Sequence, residues 1–106
     1  MKTEHFNKLT EAELEAIAIL QEECGEVVQI CGKILRHGKY SYNPFDEEKK
    51  LTNQVLLAKE VADVLVAIDI AKLHFNHLSD STLSAYKITK KVKLKNYLHH
   101  VNKDML

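Results

Sequence analysis

Proline occurs once in this sequence, glycine three times and tryptophan not at all. So few chain breakers in 106 residues argue against a many-turned β-fold and favour long helices. There are only two cysteines, with no CxxC and no Cys/His spacing of the metal-binding kind, which excludes a disulfide scaffold and a zinc-finger-like site. No segment approaches the roughly 18 consecutive apolar residues that mark a membrane span. The start, Met1-Lys2-Thr3-Glu4-His5, is polar and has no apolar core of the signal-peptide kind. No membrane association is expected, and a cytoplasmic location is. An excess of one charge is missing as well: 15 Lys and Arg stand against 15 Asp and Glu, so nothing global points to nucleic acid or an anionic surface.

What remains is the composition of an ordinary globular protein, 45% hydrophobic and 28% charged, and residues 1–106 are expected to form a single domain. A chain this short buries a modest share of its surface. Wide apolar helix faces would then be covered by neighbouring subunits, as a homodimer or homotetramer. The charges are unevenly placed. Residues 1–31 hold seven Glu against Lys2 and Lys8, while the stretch from Lys87 to Lys103 holds six Lys and no acid. That stretch reads either as a solvated Lys face or as a basic tail for a polyanion.

Apolar residues recur at helical spacing in three segments. Helix one is expected from Thr10 to His37, with Thr10 and Glu13 as a capping box and Gly38 just past its end. Its apolar positions include Leu14, Ile17, Leu20, Cys24, Val27, Val28, Cys31, Ile34 and Leu35. Residues 38–50, with the only proline and two tyrosines, read as the one substantial loop. Helix two is expected from Glu47 or Thr52 to Asn76, and helix three from about Thr82 to His100 after a break with Ser and Asp available as caps. A short helical turn is expected around Thr3–Leu9. Cys24 and Cys31 on one helix are about 10 Å apart along its axis, too far for a disulfide. They are expected as free, buried thiols.

The acids on helices one and two lie on the wrong face for solvation. Taking about 100° per residue and Glu23 as the origin, Val27 falls at about 40°, Ile34 at about 20°, Ile30 at about 340° and Glu26 at about 300°. Taking Glu60 as the origin, Val64 falls at about 40°, Ala71 at about 20°, Ala67 at about 340° and Asp63 again at about 300°. Each helix thus embeds an acid pair, in the same phase, in the surface that should pack. Inward carboxylates repel one another and are costly to desolvate. Proton uptake, cations from elsewhere in the chain, or a hard divalent metal would relieve them. Two i, i+3 carboxylate pairs on antiparallel helices suit Mg²⁺, which takes oxygen ligands and retains water for substrate phosphates. Partly buried acids paired with Lys or His remain the alternative.

Glu22-Glu23-Cys24-Gly25-Glu26 followed by Glu60-Val61-Ala62-Asp63 resembles the EExxE…ExxD signature of the MazG-like all-α NTP pyrophosphohydrolases. The resemblance runs from about Leu20 to Ile70 and includes Lys33-Ile34-Leu35-Arg36-His37-Gly38, as in short single-domain members from bacteria and phages. It implies an all-α antiparallel helical bundle completed by oligomerisation. It also implies hydrolysis of nucleoside triphosphates, dNTPs foremost, to a nucleoside monophosphate and pyrophosphate, as nucleotide-pool house-cleaning. The implied ligands of Mg²⁺, or of Mn²⁺ in its place, are Glu23, Glu26, Glu60 and Asp63. Glu22 or Glu26 would then be catalytic, accepting the proton of the attacking water. Two departures stand out: the gap between Glu26 and Glu60 is long, and the usual basic motif near the C-terminus appears as Lys95-Asn96 with His99 where Arg is common.

Other candidates carry two readings each. Lys33 and Arg36 reach phosphates as cationic clamps, or serve as cations favoured at a helix C-terminus. Asn53 reads a base or sugar edge, or is a cap or core-polar residue. Lys95 is the candidate phosphate contact from helix three. Tyr40, Tyr42 and Phe45 stack on a base or anchor the loop, and His74 and His77 read as ordinary surface residues. A di-iron bundle is disfavoured because neither Glu23 nor Glu60 has a His three residues on. The competing function is a non-enzymatic helical interaction module, or a nucleic-acid-binding one using the Lys-rich third helix.

Overall fold

The computed structural model describes residues 5–45 and 51–106. The chain is all-α. Its helices are α1 (Glu11–His37), α2 (Asn53–Lys72) and α3 (Asp80–Leu94), followed by a 3₁₀ turn at Lys103–Met105. No helix among the described residues is long and apolar enough to cross a membrane. The chain divides into two compact units, Met1–His74 and Phe75–Leu106.

The first unit is a helical hairpin. α1 starts where the sequence says it should: the Glu13 amide donates to Thr10 Oγ1 at 3.1 Å and the Thr10 amide donates to Glu13 Oε1 at 2.8 Å. That reciprocal pair satisfies two otherwise orphaned helix donors. It holds the Glu13 carboxyl below its usual range, first through the Thr10 amide and then through the Thr10 hydroxyl. α1 ends at Gly38, whose φ of 89° is open to glycine without strain and whose amide donates to the Ile34 carbonyl at 2.8 Å. Upstream of the helix, Phe6 and Asn7 form a turn closed by Lys8 N–H to the His5 carbonyl. The helical turn expected at Thr3–Leu9 is not formed by its described part, and its start lies outside the described residues.

α2 packs antiparallel on α1. Glu13 lies within electrostatic reach of His74, Glu26 lies beside Glu60, and Asn53 donates to the Gly38 carbonyl, so numbering rises on one helix as it falls on the other. Among the described residues, Ala16 and Ile30 of α1 and Ala67 and Ala71 of α2 are the buried apolar side chains. Small residues at three of these four positions let the two backbones approach closely. α2 starts at Asn53 with Thr52 as its N-cap, the later of the two expected starts; Glu47, the earlier, lies outside the described residues. It stops at Lys72, four residues short of the expected Asn76, because the Leu73 and His74 amides fold back onto the Ile70 and Ala71 carbonyls.

The cysteine expectation is overturned. Cys24 and Cys31 are free, as expected, but both are exposed. Both lie on the flank of α1, about 100° and about 80° away from Glu23, whereas contact with α2 is centred on the Glu23 direction.

In the second unit, Ser79 caps α3 by accepting from the Thr82 amide at 3.3 Å. α3 ends at Leu94, not His100. The Asn96 and Tyr97 amides bond three residues back, to Lys93 and Leu94, which tightens and terminates the helix. A helix with Lys87, Lys90, Lys91, Lys93 and Lys95 close together and no residue fully buried has little packing to offset its self-repulsion.

Candidate functional site

The four acids that share one phase in the sequence converge in space. One carboxylate oxygen from each of Glu23, Glu26, Glu60 and Asp63 lies within 4.8 Å of all the others. Glu23 and Glu26 sit in the middle of α1, and Glu60 and Asp63 in the middle of α2. The antiparallel pairing therefore sets the first acid of each pair across the helix contact and the second at its edge. Glu23, Glu26 and Glu60 are half-buried and Asp63 is exposed, so the cluster opens to one side of the hairpin.

The electrostatics of this cluster are unrelieved. Glu60 is pushed above the ordinary carboxylate range, first by its hydrogen bond to Glu26, then by burial and by the charges of Glu26 and Asp63, with Lys59 opposing weakly. Two oxygens, Glu23 Oε2 and Glu60 Oε2, are buried with no hydrogen-bond partner. A buried carboxylate oxygen without a donor is costly. Among the described residues no ion pair joins any of these four acids to a Lys, Arg or His. The alternative of Lys or His partners for these acids thus finds no support there. The donor set fits a hard cation: four carboxylates, two with unspent buried oxygens, and none of the softer nitrogen or sulfur ligands. Glu22, the first acid of the motif, is exposed and lies outside the cluster of four.

Toward the loop end of the hairpin, a pocket of about 320 Å³ is lined by Lys33, Arg36, Tyr42 and Asn53 among others. Its walls are held by the start of α2. The Asn53 side-chain Nδ2 donates to the Gly38 carbonyl at 3.1 Å, its amide donates to Ser41, and the Gln54 amide donates to Lys39. Asn53 is buried; it anchors the loop with one side-chain atom while lining the pocket. Neither Lys33 nor Arg36 has a carboxylate partner among the described residues, so the pocket presents two uncompensated cations. Of the aromatic candidates only Tyr42 reaches it. Tyr40 lies under the Lys39 ammonium at 5.1 Å, and Phe45 is exposed. The pocket also takes in His37, Ser41 and Asn43, for which the sequence carries no signal beyond their place beside Arg36 and Pro44.

Lys95 belongs to the second unit, where it is the exposed C-cap residue of α3. His74 and His77 are exposed, as surface residues should be. Compared with protein-family models, curated proteins and solved structures, the chain matches none.

Proposed function

We propose that this chain is a Mg²⁺-dependent nucleoside triphosphate pyrophosphohydrolase of the MazG-like kind, acting on dNTPs in nucleotide-pool house-cleaning. What supports the proposal is a single juxtaposition: buried, partnerless carboxylate oxygens on Glu23 and Glu60 inside a four-acid cluster, with an uncompensated cationic pocket on the same helix pair. The helical architecture agrees with it, and so does the resemblance of Glu22–Glu26 and Glu60–Asp63 to the family signature.

In this proposal Glu23, Glu26, Glu60 and Asp63 hold the ion, Mg²⁺ or Mn²⁺. When bound, it neutralises phosphate charge and lowers the pKa of coordinated water. Lys33 and Arg36 stand roughly 10 Å and roughly 15 Å along α1 from Glu26, and their long side chains hold the outer phosphates as one group. Glu22, or the share of Glu26 not engaged with the ion, accepts the proton of the attacking water at a carboxylate oxygen. Asn53 anchors the loop beside the pocket, and Tyr42 offers a face for a base. The sequence has no G-x-x-x-x-G-K-[ST] loop to cradle a γ-phosphate. Cleavage is accordingly assigned to the inner linkage, releasing intact pyrophosphate. As in the family it resembles, the bundle is completed by a homodimer or homotetramer.

Incubation with a panel of dNTPs and Mg²⁺, resolved by ³¹P NMR, tests the proposal. Nucleoside monophosphate and pyrophosphate are expected. Orthophosphate as first product would sink the mechanism. No hydrolysis of any nucleotide would favour a non-enzymatic interaction or nucleic-acid-binding module built on the lysines of α3.

A further inference from the structure

Between Asp80 and Asp104 the sequence holds six Lys and no acid. Lys87, Lys90, Lys91, Lys93 and Lys95 are all exposed, and none has a carboxylate partner among the described residues. A run of charge is ordinarily just a solvated face, but two tyrosines set this one apart. Taking Leu83 as the origin and about 100° per residue, Tyr86 falls at about 300°, Lys90 at about 340° and Lys93 at about 280°. Tyr97 falls at about 320°, because the backbone keeps its helical sense past the end of α3. There Lys95 has φ −55° and ψ −27°, and the Leu98 amide still donates to the Leu94 carbonyl at 3.0 Å. The four residues form one stripe roughly 16 Å long, aromatic at both ends and cationic between. Tyr86 is 71% exposed and Tyr97 72%, whereas Leu83 and Leu94, at about 0° and about 20°, are half-buried. Two open rings thus stand in line with two uncompensated ammonium groups.

We infer that the stripe Tyr86–Lys90–Lys93–Tyr97 binds single-stranded nucleic acid, its lysines meeting phosphates and its tyrosines stacking on bases. The charge selects a polyanion, with Lys87, Lys91 and Lys95 adding to the field beside the stripe. The rings select unpaired bases, whose faces are open, over a duplex, whose faces are covered by their neighbours. A lipid surface fits less well. The exposed apolar residues of α3, Ala85, Ile88 and Val92, lie at about 140° to about 200°, a narrow band away from the tyrosines and too small for an interfacial helix. An acidic peptide would use the lysines and leave the rings idle. Lysine on phosphate reads no base, and stacking tolerates every base, so little sequence preference is expected.

This binding belongs to the second unit alone and needs neither ion nor hydrolysis, so it and the hydrolase proposal can each fail without the other. The test is fluorescence anisotropy of the full chain with a labelled dT oligonucleotide of about 16 nucleotides, in EDTA. Binding is expected, weakening as salt rises. Tyr86→Ala and Tyr97→Ala should each lower the affinity about fivefold or more with the helical circular dichroism retained. Tyr86→Phe, which keeps the ring, should bind as the wild type does. Lys90→Gln should reduce the slope of log affinity against log salt by about 0.7. Tyr40→Ala, which removes an exposed tyrosine of the first unit, should change nothing. A duplex of the same length should compete poorly for the wild type, and that readout decides the matter if an alanine variant fails to fold. No binding, equal competition by the duplex, alanine variants that bind as the wild type does, or tighter binding to phosphatidylserine vesicles than to the oligonucleotide would overturn the assignment.

Discussion

Glu26 on α1 and Glu60 on α2 bring carboxylate oxygens within 4.8 Å of each other at the centre of the hairpin, and the nearness of Glu26 holds Glu60 above its ordinary range. A cation beside them would relieve that crowding. Replacing a neighbouring acid should therefore separate function from stability. Glu23→Gln or Asp63→Asn is expected to reduce Mg²⁺-dependent turnover by about 100-fold or more. The circular dichroism should survive, and the ion-free protein should melt no lower than the wild type because a repulsive charge has gone. Near-normal turnover in either variant would remove the acids from the site.

Ion binding should also register without substrate. At a Mg²⁺ or Mn²⁺ concentration about 100 times its Kd, linkage adds about 2.7 kcal/mol to the folded state. The wild type should show a rise in Tm on adding either ion, reversed by EDTA. Glu23→Gln and Asp63→Asn should show little or none. An equal rise in all three proteins would place the ion elsewhere.

Asn53 joins the loop to α2 through its bond to the Gly38 carbonyl at 3.1 Å. Asn53→Ala removes a buried donor and leaves that carbonyl unpaired, which is expected to cost about 1–3 kcal/mol. Thermal unfolding measures the loss, and the KM for a nucleotide should rise because Lys33, Arg36 and Tyr42 lose their fixed wall. Unchanged stability would show that the loop holds itself.

At the other end of the hairpin, Thr10→Ala is expected to cost about 1 kcal/mol through the lost helix cap. Glu13 supplies a pH signature. Its folded pKa lies below the ordinary value of 4.5, so its stabilisation is present above that value and fades as the pH falls through the folded pKa. Melting curves from neutral to acid pH should show the wild type losing its advantage over Glu13→Gln below about pH 4.5. A constant difference across that range would rule out this contribution.

Several features were legible before any coordinates, because they are local. The Thr10–Glu13 box needs only residues three apart, and Gly38 ends α1 because glycine alone takes a positive φ there without strain. Glu23 and Glu60 could be placed among Ile30, Ile34, Ala67 and Ala71 by helical phase alone, since about 3.6 residues per turn is a property of the backbone. Phase also limited where Glu26 and Asp63 could lie.

Other features depended on which surfaces meet. Cys24 and Cys31 look like core residues by composition, yet they fall on the flank that α2 does not cover, and only the pairing of the two helices decides that. Asn53 could have been a cap or a contact for substrate. Its bond across fifteen residues to Gly38 depends on how the loop closes, and no local pattern encodes that closure. The end of α3 at Leu94 was illegible for a related reason: with so little apolar face, its length is decided by a balance of weak terms in its last turn. The sequence by itself determined three helices and two inward acid pairs, because periodicity and capping act within a few residues. Tertiary structure alone decided that the pairs meet, that a cationic pocket forms beside them and that the opposite side is left bare, because each depends on residues brought together from distant parts of the chain.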